Sequence, residues 1–215
     1  SAEEKLSMAL SVGGDYPWGP GEVARYDTMH SFILSAAMSA FLQSREGGEA
    51  DLWDMVQQEV LEPIGAYRVP IMRTVESDGG RGLPIMGFGL YLTVDDVAKI
   101  AQLLHDGGKY GSRQLLHPGR LAEALYQTEK RGLPTGGIGQ DHEYQLSFWM
   151  KPFNDNHGCE IWLPKMMGYG GHIVMILPNR TTAFRFADNH HYQARDLALA
   201  AHDVRPLCPD LNERR

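Results

Sequence analysis

The sequence of 215 residues lacks any long hydrophobic run and any cluster of basic residues within the chain. Its longest apolar stretch, Ile173 to Pro178, has the length of a strand and is far short of the roughly 18–20 residues that cross a bilayer. The chain carries 20 basic and 27 acidic residues, a net charge of -7, so it offers no concentrated positive patch for phosphate groups. We therefore expect neither a nucleic acid nor a membrane as a partner.

Cysteine is also scarce. Cys159 and Cys208 are the only two, which is too few for a disulfide framework, and their spacing does not match a metal site. From the sequence alone a disulfide and two free thiols are equally open. The N-terminal residues Ser1 to Lys5 are polar and acidic and do not form a signal peptide. The compartment stays open, with the cytoplasm and the periplasm or exterior both allowed.

The chain divides into a helical half and a strand-rich half. Its 43% hydrophobic and 22% charged residues are typical of a globular protein. Apolar residues at helical spacing, bounded by Gly and Pro, predict helices over 3–10, 28–43, 51–61, 93–105, 118–126 and 190–202. Strands are predicted over 144–150, 160–163, 171–177 and 181–187. Helices followed by antiparallel strands indicate an α+β fold, mostly helical over about 1–135 and strand-rich over about 140–205.

Two threonines are expected to begin helices. Thr28 and Thr93 each precede or open an apolar helical pattern, and a threonine hydroxyl can accept hydrogen bonds from the free amides of a first turn. Asp95 and Asp96 follow Thr93 and suit the positive end of a helix. We therefore predict that Thr28 caps the helix over 28–43 and that Thr93 caps the next long one.

Four stretches, taken together, resemble the serine β-lactamase and penicillin-binding-protein superfamily, in particular its esterase-like and class-C-like branch. The first is Pro-Gly-Glu-Val-Ala-Arg-Tyr-Asp-Thr at 20–28, and the second is the helix over 51–66 that closes on Glu-Pro-Ile-Gly. The third runs from Gly89 to Leu116, and the fourth is Gly-Tyr-Gly-Gly-His at 168–172. They occur in the family's order and span nearly the whole chain.

The resemblance implies an antiparallel sheet flanked by helices, with a helical subdomain, and acyl-enzyme chemistry on a small ester or amide. It implies that Tyr26 is the general base or acid and that Thr28 occupies the third position of the same motif. No cofactor is implied.

The remaining candidate site residues are expected to contact the substrate. Tyr169, Gly170 and Gly171 would form one wall of the site, where glycines let a substrate approach the backbone. The backbone amide of His172 would be one oxyanion donor. Trp18, in the loop before Tyr26, is the tryptophan we expect to contact substrate.

Two departures from the family pattern stand out. The nucleophile of the family lies in a Ser-x-x-Lys motif upstream of the Tyr, and no serine here has a lysine three residues on. We therefore expect that the N-terminal part of the family domain is missing and that this chain alone is inactive. Thr28 stands where many relatives have Asn and lacks the second donor of an amide, which argues against β-lactams as substrates.

Two alternatives stay open. The chain could be a non-catalytic module that binds a ligand in the same fold. It could also work only when complemented by the missing segment or by a swapped partner chain, and exposed apolar surface would then favour a homo-oligomer. His157, His190 and His191 suggest a metal site, but adjacent residues point apart and no partner lies at ligand spacing, so we expect no metal.

Overall fold

The computed structural model describes residues 1–12, 14, 16–136, 142–154 and 158–208. The helices are α1 Ala2–Ser11, α2 Thr28–Glu46, α3 Leu52–Val56, α4 Val94–His105, α5 Pro118–Ala124 and α6 Ala194–Val204. The strands are β1 Lys109–Tyr110, β2 Arg113–Gln114, β3 Leu133–Pro134, β4 Glu143–Gln145, β5 Phe148–Asn154, β6 Glu160–Gly168, β7 His172–Ile176 and β8 Thr182–Arg185. The α+β class is confirmed. None of the helices in these described ranges is long and apolar enough to cross a membrane.

The chain forms two compact units that alternate along the sequence. The first comprises Ser1–Pro17, Tyr26–Ile100 and Tyr110–Leu115, and it contains α1, α2 and α3. The second comprises Trp18–Arg25, Ala101–Lys109 and Leu116–Arg215, and it contains the six-stranded sheet and α6.

Short polar side chains cap the helices, although one predicted cap is wrong. The N-cap of α2 is Asp27, whose carboxylate accepts a hydrogen bond from the amide of Met29 at 2.8 Å, and Thr28 is the first helical residue. A carboxylate is an equally good cap, so the preceding residue takes this position. The cap of α4 is confirmed, because the hydroxyl of Thr93 accepts from the amide of Asp96 while the carboxylate of Asp96 accepts from the amide of Thr93.

The predicted helix over 51–61 is regular only up to Val56. A π-helical turn, Gln57–Leu61, and a 3-10 turn, Glu62–Ile64, complete it. Asp51 caps α3 and also pairs with the guanidinium of Arg73 at 2.7 Å. Burial raises the pKa of Asp51, but the hydrogen bonds from Arg73 and from the amide of Asp54, together with the charges of Arg73 and Arg81, outweigh it, so the pKa lies below its ordinary value. This ion pair ties the start of α3 to the irregular segment that follows it.

The main sheet has the order β3-β4-β5-β6-β7-β8, and every neighbouring pair is antiparallel. The strand predicted over 144–150 is a hairpin, with β4 and β5 joined at Leu146 and Ser147. Both turn residues have positive φ, 44° and 70°, a conformation usually taken by Asn, Asp or Gly. The hairpin was missed because its turn has none of those residues.

Two further boundaries differ from the predictions. β6 continues to Gly168, past the predicted end at Leu163, although Pro164 cannot donate a ladder hydrogen bond. The last helix begins at Ala194 rather than at His190, whose φ of 56° is incompatible with a helix. The segment before α6 is instead held by Gly170, whose carbonyl accepts hydrogen bonds from the amides of Asn189 and His190.

The core of the second unit lies between one face of the sheet and α6. It is built from side chains that alternate along β5 to β8 and from the small residues of α6. Its buried members are Phe153, Cys159, Leu163, Ile173, Met175, Leu177, Ala183, Ala198 and Leu207. Cys159 and Cys208 form a disulfide at the edge of this core, which decides the question that the sequence left open.

We expect the disulfide to contribute strongly to stability, because it closes a separation of 49 residues in the unfolded chain. Replacing Cys208 with Ser should lower the free energy of unfolding by about 2–4 kcal/mol. Urea titration followed by circular dichroism measures this loss. Reductant should lower the stability of the unmodified protein and leave the variant unchanged; equal sensitivity of both would contradict the assignment.

His105 should make the second unit sensitive to acid. Its Nε2 lies 2.9 Å from the hydroxyl of Thr182, and burial, with Arg180 nearby, holds its pKa below the ordinary 6.5. A lowered folded-state pKa means that its contribution is complete above pH 6.5 and is lost as the pH falls through the folded value. His105→Gln keeps a polar side chain without the titration. Urea titrations should show that the free energy of unfolding falls less between about pH 7 and about pH 5 in this variant than in the unmodified protein. An equal fall in both proteins would refute the role of His105.

Candidate functional site

Tyr26 lies in the first unit, immediately before the capped start of α2. Its side chain is half-buried, and Asp27 fixes the backbone that follows it. Thr28 packs against the segment containing Gly87: a Cβ at Gly87 would lie 2.6 Å from the carbonyl oxygen of Thr28 and 2.7 Å from its methyl carbon. Tyr26 and Thr28 therefore lie at a capped helix start, and the backbone at Gly87 packs closely against Thr28.

Tyr169, Gly170 and Gly171 form the tight connection between β6 and β7 in the second unit. Gly168 is paired with His172, and the three residues between them make the turn. Gly170 and Gly171 have φ of 86° and 97°, which only glycine adopts at little cost. The side chain of Tyr169 is 82% exposed at the tip of this turn. The predicted wall is therefore a tight hairpin that presents an aromatic ring to solvent.

The two glycines are explained by contacts within the chain. A Cβ at Gly170 would lie 3.0 Å from the carbonyl oxygen of Ala187, and one at Gly171 would lie 3.0 Å from that of His191. The segment between β8 and α6 therefore packs directly onto the turn. The expectation from the sequence was that these glycines leave room for a substrate, but their intramolecular contacts already require them.

The side chain of His172 is fixed by the same segment. Its Nδ1 accepts a hydrogen bond from the amide of Ala187 at 3.2 Å, and its ring meets Phe186 edge-on with centroids 5.8 Å apart. The ring of Tyr169 meets His190 in a similar way at 4.8 Å. These rings form an aromatic group around the turn. Because the Nδ1 atom is engaged, the imidazole of His172 has a structural role in orienting the turn.

Trp18 lies at a different place in the second unit. A Cβ at Gly136 would lie 3.0 Å from its ring, and the loop that carries it is held by the amide of Ala24, which donates to Pro134 at 2.9 Å. Gly136 follows β3, whereas Tyr169 follows β6. β3 and β6 run in opposite directions, so their C-terminal ends lie at opposite ends of the sheet. The structure therefore does not place Trp18 at the Tyr169 turn, and the contact of Trp18 with substrate stays a prediction.

A buried lysine lies outside the motifs that the sequence reveals. Lys165 is only 2% exposed, and its Nζ lies 3.0 Å from Nε2 of His142, which in turn meets the ring of Trp149 edge-on. A lysine between the apolar residues Leu163 and Met166 of β6 was the available signal, because a buried charge requires polar partners. Lys165 shares with Leu163, a member of the core cluster, the face of β6 that packs toward α6.

The described residues contain no group of three or more metal-ligating side chains that could hold an ion. His157 lies outside the described residues. The ring of His190 packs on Tyr169, and the backbone of His191 contacts Asn189 and Arg185. The two adjacent histidines therefore make contacts that hold the segment covering the turn in place.

Comparisons with known proteins identify the fold. No protein-family profile matches the sequence, and no curated protein matches it. The crystal structure of a putative beta-lactamase from Bacteroides dorei DSM 17855 superposes with a TM-score of 0.58 over 94% of this chain, at 16% sequence identity. This chain has a β-lactamase-like fold. It spans 63% of the length of that structure. At 16% identity the similarity shows the fold alone.

The glycine turn of this β-lactamase-like fold should tolerate no side chain. Gly171→Ala adds both the cost of positive φ and the contact with His191, whereas Gly79 has a φ of 74° and nothing within 4 Å of an added Cβ. Gly79→Ala should cost about 1 kcal/mol and Gly171→Ala about 2–3 kcal/mol in the free energy of unfolding. Urea titration of both variants measures the difference. Equal losses would show that segment 187–191 does not press on the turn.

Proposed function

We propose that this chain is part of a serine hydrolase of the β-lactamase-related type, an esterase or amidase that forms an acyl-enzyme. The observation that carries the proposal is the β-lactamase-like fold over 94% of the chain, with the Tyr and Tyr-Gly-Gly motifs at structurally defined positions. The motifs alone are short, and the fold alone supports many functions. Their occurrence together, in the family's order, favours the hydrolase.

In this proposal Tyr26 transfers a proton during attack or departure of the leaving group. Its place before the capped start of α2 supports this role, because a catalytic acid or base must be held in position by a rigid element. A tyrosine hydroxyl ionises near pH 10 in water, so it becomes a base at neutral pH only when a cation lies beside it. The lysine of the family's Ser-x-x-Lys motif would supply that cation.

The turn at Tyr169 would form the side of the site that contacts the substrate. The amide of His172, the first residue of β7, would donate to the oxyanion that develops on the scissile carbonyl. The exposed ring of Tyr169 would contact the substrate itself. The imidazole of His172 would act as a positioning group, since its Nδ1 is already hydrogen-bonded.

This chain alone should be inactive, because none of its serines has a lysine three residues on. Acyl transfer needs a nucleophile and a second oxyanion donor, and both belong to the Ser-x-x-Lys segment in the family that the chain resembles. Thr28 in place of Asn favours an ester over an amide as the substrate, because its hydroxyl has fewer hydrogen-bond positions than an amide side chain.

A second candidate is a ligand-binding module without chemistry. The specific observation that favours it is again the absence of Ser-x-x-Lys from all 215 residues. It predicts saturable binding of a small ligand with no covalent adduct.

A fluorescent fluorophosphonate distinguishes the two candidates, because it labels activated serines covalently. The reagent is applied to this chain and to a chain extended upstream in its own gene. The hydrolase predicts that only the extended chain is labelled. In the extended chain Tyr26→Phe should lower the rate of ester turnover by about 100-fold or more, since the proton-transfer group is lost.

Tyr67→Phe is the matched control, because Tyr67 is 70% exposed in the same unit and belongs to neither motif. It should leave turnover unchanged. Failure of the extended chain to label, with no Ser-x-x-Lys in its sequence, would reject the hydrolase and favour the binding module.

A further inference from the structure

A cavity lies in the second unit, between the main sheet and the N-terminal half of α6. Its volume is about 40 Å³, whereas a cavity that holds one water molecule needs roughly 10–15 Å³. The cavity is partly open to solvent. It therefore has room for a small organic molecule of a few heavy atoms.

Small residues on α6 leave this space between the helix and the sheet. Ala194 and Ala198 are four positions apart, so they lie on the same face of the helix, and both line the cavity. The sheet contributes Phe153, Leu163 and Met175 to the lining. These three side chains also belong to the buried core. One part of the cavity wall is therefore apolar.

Every charged side chain among the described residues that line the cavity is basic. These side chains are Lys151 of β5, Lys165 of β6 and Arg195 of α6. Arg195 is exposed, Lys151 is half-buried and Lys165 is only 2% exposed. Positive charge therefore extends from the surface into the interior, although the chain as a whole carries a net charge of -7.

The three basic residues approach one another from both sides of the cavity. Lys151 pairs with Leu163 in the ladder of β5 and β6, so it is the diagonal neighbour of Lys165. Residues at such positions have Cα atoms about 7–8 Å apart and side chains on the same face. Arg195 reaches this face from α6, and its Nη1 donates to the carbonyl of Asn154 at 3.3 Å. Positive charges this close repel one another, and an anion between them relieves the repulsion.

We propose that this cavity binds a small monocarboxylic acid, whose carboxylate pairs with Lys151 and Arg195 and whose short alkyl part lies on the apolar wall. The ammonium of Lys165, which contacts Nε2 of His142 at 3.0 Å, adds positive charge from the interior. A guanidinium matches the planar carboxylate in shape. The site belongs to the second unit, and the proposal does not depend on the proposed hydrolase activity.

The test is isothermal titration calorimetry of this chain with propionate at constant ionic strength. Propionate should bind with a Kd of about 1 mM, since a ligand of so few atoms gains limited free energy. Propionamide has nearly the same shape without the charge, and it should bind at least about 10-fold more weakly. Formate keeps the charge without the alkyl part, and it should also bind about 10-fold more weakly, because it buries no methylene or methyl group.

Variants of the cavity test the charge and the space separately. Lys151→Gln and Arg195→Gln each remove one ion-pairing partner and should raise the Kd of propionate by about 10-fold. Ala194→Leu keeps every charge but fills the cavity, so it should abolish binding. Lys109→Gln is the control, because Lys109 is exposed on β1 in the same unit and does not line the cavity. It should leave the Kd unchanged.

Circular dichroism shows which variants are folded, and any one of the three cavity variants that folds is sufficient for the test. No binding of propionate at tens of millimolar would overturn the proposal. Equal affinities for propionate and propionamide would reject the role of the charges, and equal affinities for propionate and formate would reject the role of the apolar wall. An unchanged Kd in every folded cavity variant would place the binding elsewhere.

Discussion

The burial of one sheet face against α6 is the interaction on which the second unit depends. α6 has 11 residues, which is too short to be stable as an isolated helix in water. Its small residues, such as Ala198, let it lie close to Ile173 and Met175 at the centre of the sheet. The disulfide between Cys159 and Cys208 joins the beginning of β6 to the chain after α6, so the helix is held against the sheet at its end.

This packing determines the geometry of the candidate site. The chain must return from β8 at one edge of the sheet to α6, and on the way residues 187–191 cross the turn between β6 and β7. The crossing is close enough that a side chain at Gly170 or Gly171 would press on the backbone of this segment. The same crossing supplies the amide that orients His172. The Tyr-Gly-Gly motif at 169–171, which resembles the wall of a substrate site, is therefore also shaped by contacts within the protein.

The sequence predicted the helices and the last two strands because their signals are local. Apolar spacing and a following glycine located α2, and the Pro-Asn-Arg turn located β7 and β8. The hairpin at Leu146 and Ser147 was missed because its positive φ values are imposed by pairing of β4 with β5 and not by the residue types. The end of β6 was missed because neighbouring strands on both sides override the preference of Pro164 for an edge. The candidate site follows the same rule: Tyr26 and the turn at Tyr169 carry sequence signatures, whereas the contact of Trp18 with Gly136 and that of Lys165 with His142 join residues far apart in sequence.

The polarity of α2 shows why helix periodicity alone does not assign a core face. The apolar residues of this helix lie on all sides, and a rule that places the largest ones inside would bury Leu34 and Phe41. The close approach of the backbone at Pro84 and Gly87 leaves room there only for small side chains such as Ser35, while Phe32 is buried on the same side of the helix. Steric room therefore selects the inward face, and the hydrophobic effect then acts on the outward face that remains.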